Sequence, residues 1–237
     1  GELMNLIAYR GLSSKNVAYH TKDAIILALN ADYLSGISMH VRLTKDQELV
    51  VYDEEEFRIG NHSFGSIQDL SLNELRHFNV GNKIQRQMIP TLREILDCYR
   101  TEKILLLELA DEQDRNFLFA ERVAALLNQY RNINLLVTSQ SKELVLYLQD
   151  LLTTGKLGLT FTDPNDYQCP IVVDFYQIPF SFHNAEKVMQ KLENHYGIVL
   201  SGISNPDEIV SLQEKYSENF SRLFLVAHNL PQIMNEI

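Results

Sequence analysis

Short apolar runs alternate along the chain with longer segments in which apolar residues recur every three to four positions. The short runs predict buried strands, and the longer segments predict amphipathic helices. The predicted strands are residues 4–10, 36–43, 103–110, 132–139, 156–161, 170–176, 197–203 and 222–228. Because right-handed crossovers between eight parallel strands leave few other topologies, the pattern predicts an α/β protein with a closed (β/α)8 TIM barrel.

Several predicted helices carry recognisable start signals. Ser141 lies three residues before Leu144, and Asn205 is followed by Pro206 and then by acidic residues. Short polar side chains at these positions cap the first turn, and proline suits the first helical position. The DPNDYQC spacer before the sixth strand is too short for a crossover helix, so we expect a turn there.

One segment breaks the alternation, at residues 44–90 after the second strand. A loop this long in a compact domain is usually functional or forms a small subdomain. Within it, ELVVYD predicts an extra strand and LSLNELRHF a short capped helix. In a barrel the segment leaves from the C-terminal ends of the strands, where active sites lie. We therefore predict a single domain over residues 1–237 with an insertion subdomain at 44–90.

Charge narrows the class of partner. The formal net charge of -10 would repel nucleic acid and anionic membranes, although a small anion in a local basic pocket remains compatible with it. The two cysteines, Cys98 and Cys169, have neither metal spacing nor a disulfide framework, which favours a reducing compartment and a cytoplasmic protein. The chain begins at Gly1 without an initiator methionine, so we expect membrane contact only through a segment upstream of it.

A set of short motifs makes the fold prediction more specific. These are Arg10-Gly11 at the end of the first strand, LTKD at 43–46, Val50-Val51, IPTL at 89–92 with Glu94, and Glu108 in LLLEL. Together they resemble the glycerophosphodiester phosphodiesterase family over nearly the whole chain. The resemblance implies a barrel with two catalytic histidines that act on a phosphodiester, and a divalent metal, Ca or Mg, held by carboxylates of strands two and three.

The implied catalytic positions are changed in this chain. Tyr9 stands at the first histidine position and Asp53 at the second. A phenol is a poor base at neutral pH. A carboxylate can act as a base, but beside Glu54, Glu55 and Glu56 it also adds negative charge where a phosphodiester would bind. The sequence therefore predicts the loss of the usual acid–base pair.

The implied metal positions are also changed. Only Glu108 keeps its carboxylate, because Ser38 and His40 occupy the other two positions. Glu108 with His40 suits a softer ion such as zinc and is a weak set for calcium or magnesium.

Arg10 is the candidate that keeps its family identity. An arginine at the exit of a buried strand needs a partner, and its planar fork suits two oxygens of a phosphate. We predict a ligand-binding set of Arg10, Tyr9, Asp53 and His228, with Asn229 beside it at the barrel mouth. The alternative is an ion pair between Arg10 and Glu108.

Three hypotheses for function follow. The first is a catalytically degenerate relative, a pseudoenzyme that keeps a barrel-mouth pocket for a small anionic or phosphate-containing ligand. The second is a divergent phosphoric diester hydrolase of glycerophospholipid metabolism with Asp53 or His40 as its acid–base group. The third is a non-catalytic interaction domain of a longer chain.

Overall fold

The computed structural model describes residues 4–11, 21–83 and 86–228. The strands in these ranges are β1 Asn5–Tyr9, β2 Gly36–Leu43, β3 Leu49–Val51, β4 Glu56–Ile59, β5 His62–Ser66, β6 Ile104–Leu109, β7 Leu135–Ser139, β8 Lys156–Thr160, β9 Phe175–Pro179, β10 Gly197–Ile203 and β11 Leu223–Ala227. The α-helices are α1 Lys22–Leu29, α2 Leu72–Leu75, α3 Leu92–Cys98, α4 Asn116–Leu127, α5 Lys142–Leu151, α6 Ala185–Leu192 and α7 Pro206–Tyr216. No helix in these ranges is long and apolar enough to cross a membrane.

Eight of the strands close into a barrel. Their order is β1-β11-β10-β9-β8-β7-β6-β2, and β1 also pairs with β2, so the sheet returns to its own first strand. All eight neighbouring pairs are parallel. The predicted (β/α)8 barrel is therefore confirmed.

Helix starts and the short spacer also follow the sequence signals. The Ser141 hydroxyl accepts a hydrogen bond from Leu144 N, and the Asn205 side chain accepts one from Glu208 N. Between β8 and β9 the chain forms only a short 3-10 turn, Pro164–Gln168. Both predictions are confirmed.

The sixth barrel strand was predicted wrongly. The apolar run PIVVDFY placed it at 170–176, whereas β9 is Phe175–Pro179 and Val172 is 79% exposed. Pairing with β8 begins only where Phe175 lies beside Gly158. A Cβ at Gly158 would lie 2.5 Å from the Phe175 ring, so this glycine makes the space in which the ring packs. The strand therefore begins at the residue that fills the barrel.

The segment after β2 contributes both to the barrel and to a small core of its own. β3 pairs antiparallel with β2, as the extra strand ELVVYD predicted, and α2 is the predicted short capped helix. The β4–β5 hairpin was not predicted. A separate apolar cluster holds the segment together: Val50, Tyr52, Phe57, Ile67, Leu75 and Ile89. The division into a domain and a subdomain stays a prediction.

Polar residues line the barrel interior near the C-terminal ends of the strands. Deeper inside, an apolar cluster contains Ile7, Ile104, Leu106, Leu136, Phe175, Val199, Phe224 and Val226. Because alternate residues of a strand share a face, the next interior positions are Tyr9, Glu108, Thr138 and Gln177. The fold thus places a layer of hydrogen-bonding side chains on an apolar floor at the barrel mouth.

Candidate functional site at the barrel mouth

Asp53 is the centre of the polar layer. Its Oδ1 accepts a hydrogen bond from the Tyr9 hydroxyl at 2.5 Å and lies 2.9 Å from His40 Nδ1. Its Oδ2 lies 3.1 Å from Arg10 Nη2. Both carboxylate oxygens are thus occupied by side chains of β1 and β2 and of the loop after β1.

The backbone brings Asp53 to this place through the turn between β2 and β3. Because β3 runs back along β2, Tyr52 N donates to the His40 carbonyl at 3.1 Å. Arg42 then fixes the loop, since its Nε donates to the Tyr52 carbonyl at 3.1 Å and its Nη2 to the Asp53 carbonyl at 2.8 Å. The Nε and Nη2 groups of Arg42 are therefore hydrogen-bonded to the backbone of the loop.

Arg10 occupies an unusual backbone position. Its φ is +63°, in the left-handed region that few residues other than glycine adopt, and its N–H donates to the Ser38 carbonyl at 2.8 Å. This conformation turns the guanidinium back over the Tyr9 ring, with Cζ 4.4 Å from the ring centroid. The salt bridge of Arg10 is with Asp53 and replaces the ion pair with Glu108 that the sequence suggested.

Glu108 has different neighbours. Its Oε2 lies 3.6 Å from His40 Nε2, and its Oε1 accepts a hydrogen bond from the Gln177 side-chain amide. Sequence reasoning missed Gln177, which is only 1% exposed. Its one signal was a lone polar residue directly after an apolar run, and the misplaced sixth strand left it out.

The contacts shift the acidities of the central groups. Burial alone would raise the pKa of Asp53, but the hydrogen bonds from His40 and Tyr9 and the charge of Arg10 hold the pKa of this carboxyl well below its usual range. Burial alone would lower the pKa of His40, yet the Glu108 and Asp53 carboxylates raise it above its ordinary value. Burial, reinforced by Asp53, raises the pKa of Tyr9 well above its ordinary value. The shifts therefore favour the charged forms of Asp53 and His40 and the neutral form of Tyr9.

His228 completes one wall of the mouth. Its ring centroid lies 4.3 Å from that of Tyr9. The backbone N–H of His228 donates to the Ile203 carbonyl at 3.2 Å. Burial and the nearby Arg10 charge lower the pKa of His228. The structure thus groups Tyr9, Arg10 and His228 around Asp53, as predicted, while their roles as ligand-binding residues stay a prediction. Asn229 lies outside the described residues.

A cleft opens beside His40. It has a volume of about 240 Å³ and is bordered by His40, Arg42, Glu55, Glu108, Ser139 and Thr160. Its mixed acidic, basic and hydroxyl lining suits a small polar ligand better than an apolar one.

The family resemblance implies a calcium or magnesium ion here, and the donor set does not fit one. Ser38 supplies a fully buried hydroxyl, and Glu108 is the one carboxylate among the three implied positions. The two ring nitrogens of His40 lie 2.9 Å and 3.6 Å from carboxylate oxygens, and a protonated imidazole has no lone pair for a metal. Within residues 4–11, 21–83 and 86–228, no group of three or more His, Cys, Asp and Glu side chains could hold a metal ion.

Comparisons with known proteins find similarity in sequence to curated relatives and similarity in fold to solved structures. No protein-family model matches the chain. An uncharacterized protein of Mycoplasma pneumoniae is 28% identical over 164 residues, which are 66% of this chain and 68% of that protein. A glycerophosphodiester phosphodiesterase of Caldanaerobacter subterraneus is 36% identical over 107 residues, 43% of this chain and 42% of that protein. These two matches thus span about two thirds and less than half of the length of the curated relatives.

Solved structures agree in fold over a greater length. A phosphodiesterase of Oleispira antarctica, determined in complex with the product sn-glycerol-3-phosphate, superposes with a TM-score of 0.80. The match covers 99% of this chain and 96% of that one at 20% identity. Identity this low shows the shared fold, whereas the curated relatives supply the resemblance in sequence.

Proposed function

This chain is a divergent relative of the glycerophosphodiester phosphodiesterase family, and from that premise we propose that it binds a small anionic or phosphate-containing ligand at the barrel mouth without catalysing that family's usual hydrolysis. The ligand class follows from the cationic side of the mouth. Arg10 lies over Tyr9 with 29% of its side chain exposed, and His40 carries a raised pKa beside it. A guanidinium fork next to an imidazolium is well suited to phosphate oxygens.

The state of Asp53 is the observation that carries the non-hydrolytic part of the proposal. A general base needs a free oxygen and a pKa near the working pH. Asp53 has neither, because three side chains occupy its two oxygens and its pKa is held well below the usual range. Tyr9 cannot replace it, since its hydroxyl already donates a hydrogen bond to Asp53 and its raised pKa keeps it protonated.

The test of hydrolysis is release of glycerol 3-phosphate from glycerophosphocholine, with calcium, magnesium, manganese or zinc added in turn. We expect no turnover above that of a blank. A second protein restores the family residues through Tyr9→His, Ser38→Glu, His40→Asp and Asp53→His, and we expect metal-dependent turnover to appear in it. Metal-dependent turnover by the unaltered protein would overturn the non-hydrolytic proposal.

The test of binding is calorimetry with glycerol 3-phosphate and with inorganic phosphate, both in EDTA. Because hydrogen bonds to charged groups contribute about 1.5–3 kcal/mol, Arg10→Gln should weaken the affinity at least about tenfold. Arg131→Gln is the control, because Arg131 is exposed and precedes β7, at the opposite end of the barrel. No binding by the unaltered protein, or equal binding by both variants, would contradict the proposed pocket.

A divergent hydrolase is the second candidate, and one contact favours it. Asp53 Oδ1 lies 2.9 Å from His40 Nδ1, and a carboxylate beside an imidazole is the pairing found where a catalytic histidine is oriented. This candidate requires that Asp53→Asn and His40→Ala each abolish a phosphodiesterase activity that the unaltered protein has. The third hypothesis, an interaction domain of a longer chain, stays a prediction that the full reading frame would test.

A further inference from the structure

The two ring nitrogens of His40 face carboxylates on two different elements. Nδ1 lies 2.9 Å from Asp53 Oδ1, and Nε2 lies 3.6 Å from Glu108 Oε2. A neutral imidazole carries one N–H and one lone pair, so it would turn its lone pair towards one of these carboxylates. Both distances lie within ion-pair range, so the imidazolium is the form in which His40 carries a charge opposite to that of both carboxylates.

The other charged groups around His40 have partners other than Glu108, so His40 is the group that pairs with the Glu108 carboxylate. Arg42 directs its guanidinium to the Tyr52 and Asp53 carbonyls, and Arg10 pairs with the other side of Asp53. Tyr9, which packs its ring edge-on against His40 at 5.8 Å, donates its hydroxyl to Asp53. The second Glu108 oxygen accepts only the neutral Gln177 amide. Among the salt bridges of the described residues, the partner of Glu108 is His40.

The strand register explains why a histidine stands here. His40 and Glu108 are direct neighbours on β2 and β6. The resemblance implies a carboxylate at position 40, and such a carboxylate, close to Asp53 and Glu108, would need a cation between them. The histidine supplies that positive charge from the protein itself.

We propose that the His40 imidazolium takes the place of a divalent cation at this barrel mouth, holding Asp53 and Glu108 together and offering a metal-independent charge to the bound anion. The first half of this inference stands on the contacts alone, and the second half rests on the proposed function. One consequence is that the family scaffold keeps its charge balance after the loss of two of the three implied metal positions.

The protonation of His40 can be observed directly. Nitrogen-15 NMR of the imidazoles at pH 7, with the His40 signals assigned through His40→Gln, separates the imidazolium from either neutral tautomer. We expect both nitrogens of His40 at the imidazolium position in EDTA and without any phosphate. A neutral tautomer would overturn the inference.

A second experiment tests the proposal by measuring metal binding. Calcium and magnesium are titrated separately into the unaltered protein and into His40→Asp, without phosphate, and followed by calorimetry and thermal unfolding. We expect no saturable binding by the unaltered protein, and a cation-dependent rise in Tm of several degrees for His40→Asp that EDTA reverses. His77→Asp, on an exposed helix end, is the matched control and should gain nothing.

These outcomes are separable from the proposed function. If His40→Asp does not fold, the NMR result and the metal titration of the unaltered protein still decide the inference. Saturable binding of calcium or magnesium by the unaltered protein at one ion per chain would overturn it. Failure to bind phosphate in EDTA would contradict the proposed function and leave the His40 bridge intact, because neither arm here uses phosphate.

Discussion

Tyr9 donates its hydroxyl to Asp53 at 2.5 Å, and this hydrogen bond joins the end of β1 to the loop that follows β3. These are the two positions at which the family resemblance implies catalytic histidines. The two replacements therefore complement each other as donor and acceptor. A pair of this kind stabilises the mouth in its present form, and it explains how the scaffold stays ordered after its acid–base residues have changed.

Removing the Tyr9 hydroxyl should destabilise the protein. Tyr9→Phe deletes one of the hydrogen bonds to a buried carboxylate, so we expect a loss of about 1.5–3 kcal/mol in the free energy of unfolding. Urea denaturation measures it, with Tyr33→Phe at a partly exposed turn as the control. If Tyr9→Phe costs the same in an Asp53→Asn background as in the unaltered protein, the two residues are not coupled and the pairing has no energetic role.

The pH dependence of stability should carry the signature of His40. Because the folded pKa of His40 is raised above its ordinary value of 6.5, its contribution is fully present below about pH 6.5 and is lost as pH rises through the folded pKa. His228 and His183 have lowered pKa values and contribute in the opposite direction, since their stabilisation is present above about pH 6.5 and is lost as pH falls through their folded pKa values. The net curve therefore mixes both effects.

A comparison with His40→Gln isolates the effect. We expect the difference in unfolding free energy between the unaltered protein and His40→Gln to be largest below about pH 6.5 and to shrink as pH rises through the folded pKa of His40. Urea denaturation across pH 5.5 to 9 measures this difference. A difference that stays constant, or grows with pH, would contradict a protonated His40 in the folded state.

The barrel could be predicted from the sequence because strands and helices each repeat their apolar residues at a characteristic spacing. β2 and β10 match their predicted limits residue for residue, since apolar runs, helix caps and short spacers all point to the same topology. The apolar run before Phe175 misled the prediction of β9, because exposure of Val172 depends on where the neighbouring β8 can accept the Phe175 ring. That is a property of two strands packed together, and no single-strand pattern contains it.

The sequence predicted which residues lie in the site, but it did not predict which of them contact each other. The resemblance supplied Tyr9, Asp53 and Glu108 by position, and the barrel brought them to one mouth. The choice of Asp53 over Glu108 as the partner of Arg10 depends on the left-handed backbone at Arg10, which folds its side chain over Tyr9. Such a conformation is not encoded by residue type, because arginine rarely adopts it.

Gln177 should contribute to the stability of the folded protein through its hydrogen bond to Glu108. Gln177→Leu removes the amide that donates to Glu108 and leaves a buried carboxylate oxygen without that donor. We expect a loss of about 1–3 kcal/mol in the free energy of unfolding. Urea denaturation checks it against Gln190→Leu, a change at an exposed position of α6 that should stay within about 0.5 kcal/mol. Equal losses in the two variants would show that Gln177 has no positioning role.

The final prediction concerns how the chain leaves β1. Gly11 has φ +80°, and a Cβ there would lie 2.7 Å from the Ala24 carbonyl oxygen of α1, whereas Gly60, with φ +62°, has open space around it. Gly60→Ala should therefore cost only the backbone strain, about 1 kcal/mol. Gly11→Ala adds a clash with helix backbone, so we expect a loss larger by at least about 1 kcal/mol.

The same substitution should also disturb the ligand pocket. Because Gly11 follows Arg10 directly, any shift that relieves the clash with α1 also moves the guanidinium from its place over Tyr9. We expect Gly11→Ala to weaken phosphate binding, measured by calorimetry, while Gly60→Ala leaves it unchanged. Equal stability and equal phosphate affinity for the two variants would mean that the close approach of Gly11 to α1 does not hold Arg10 in position.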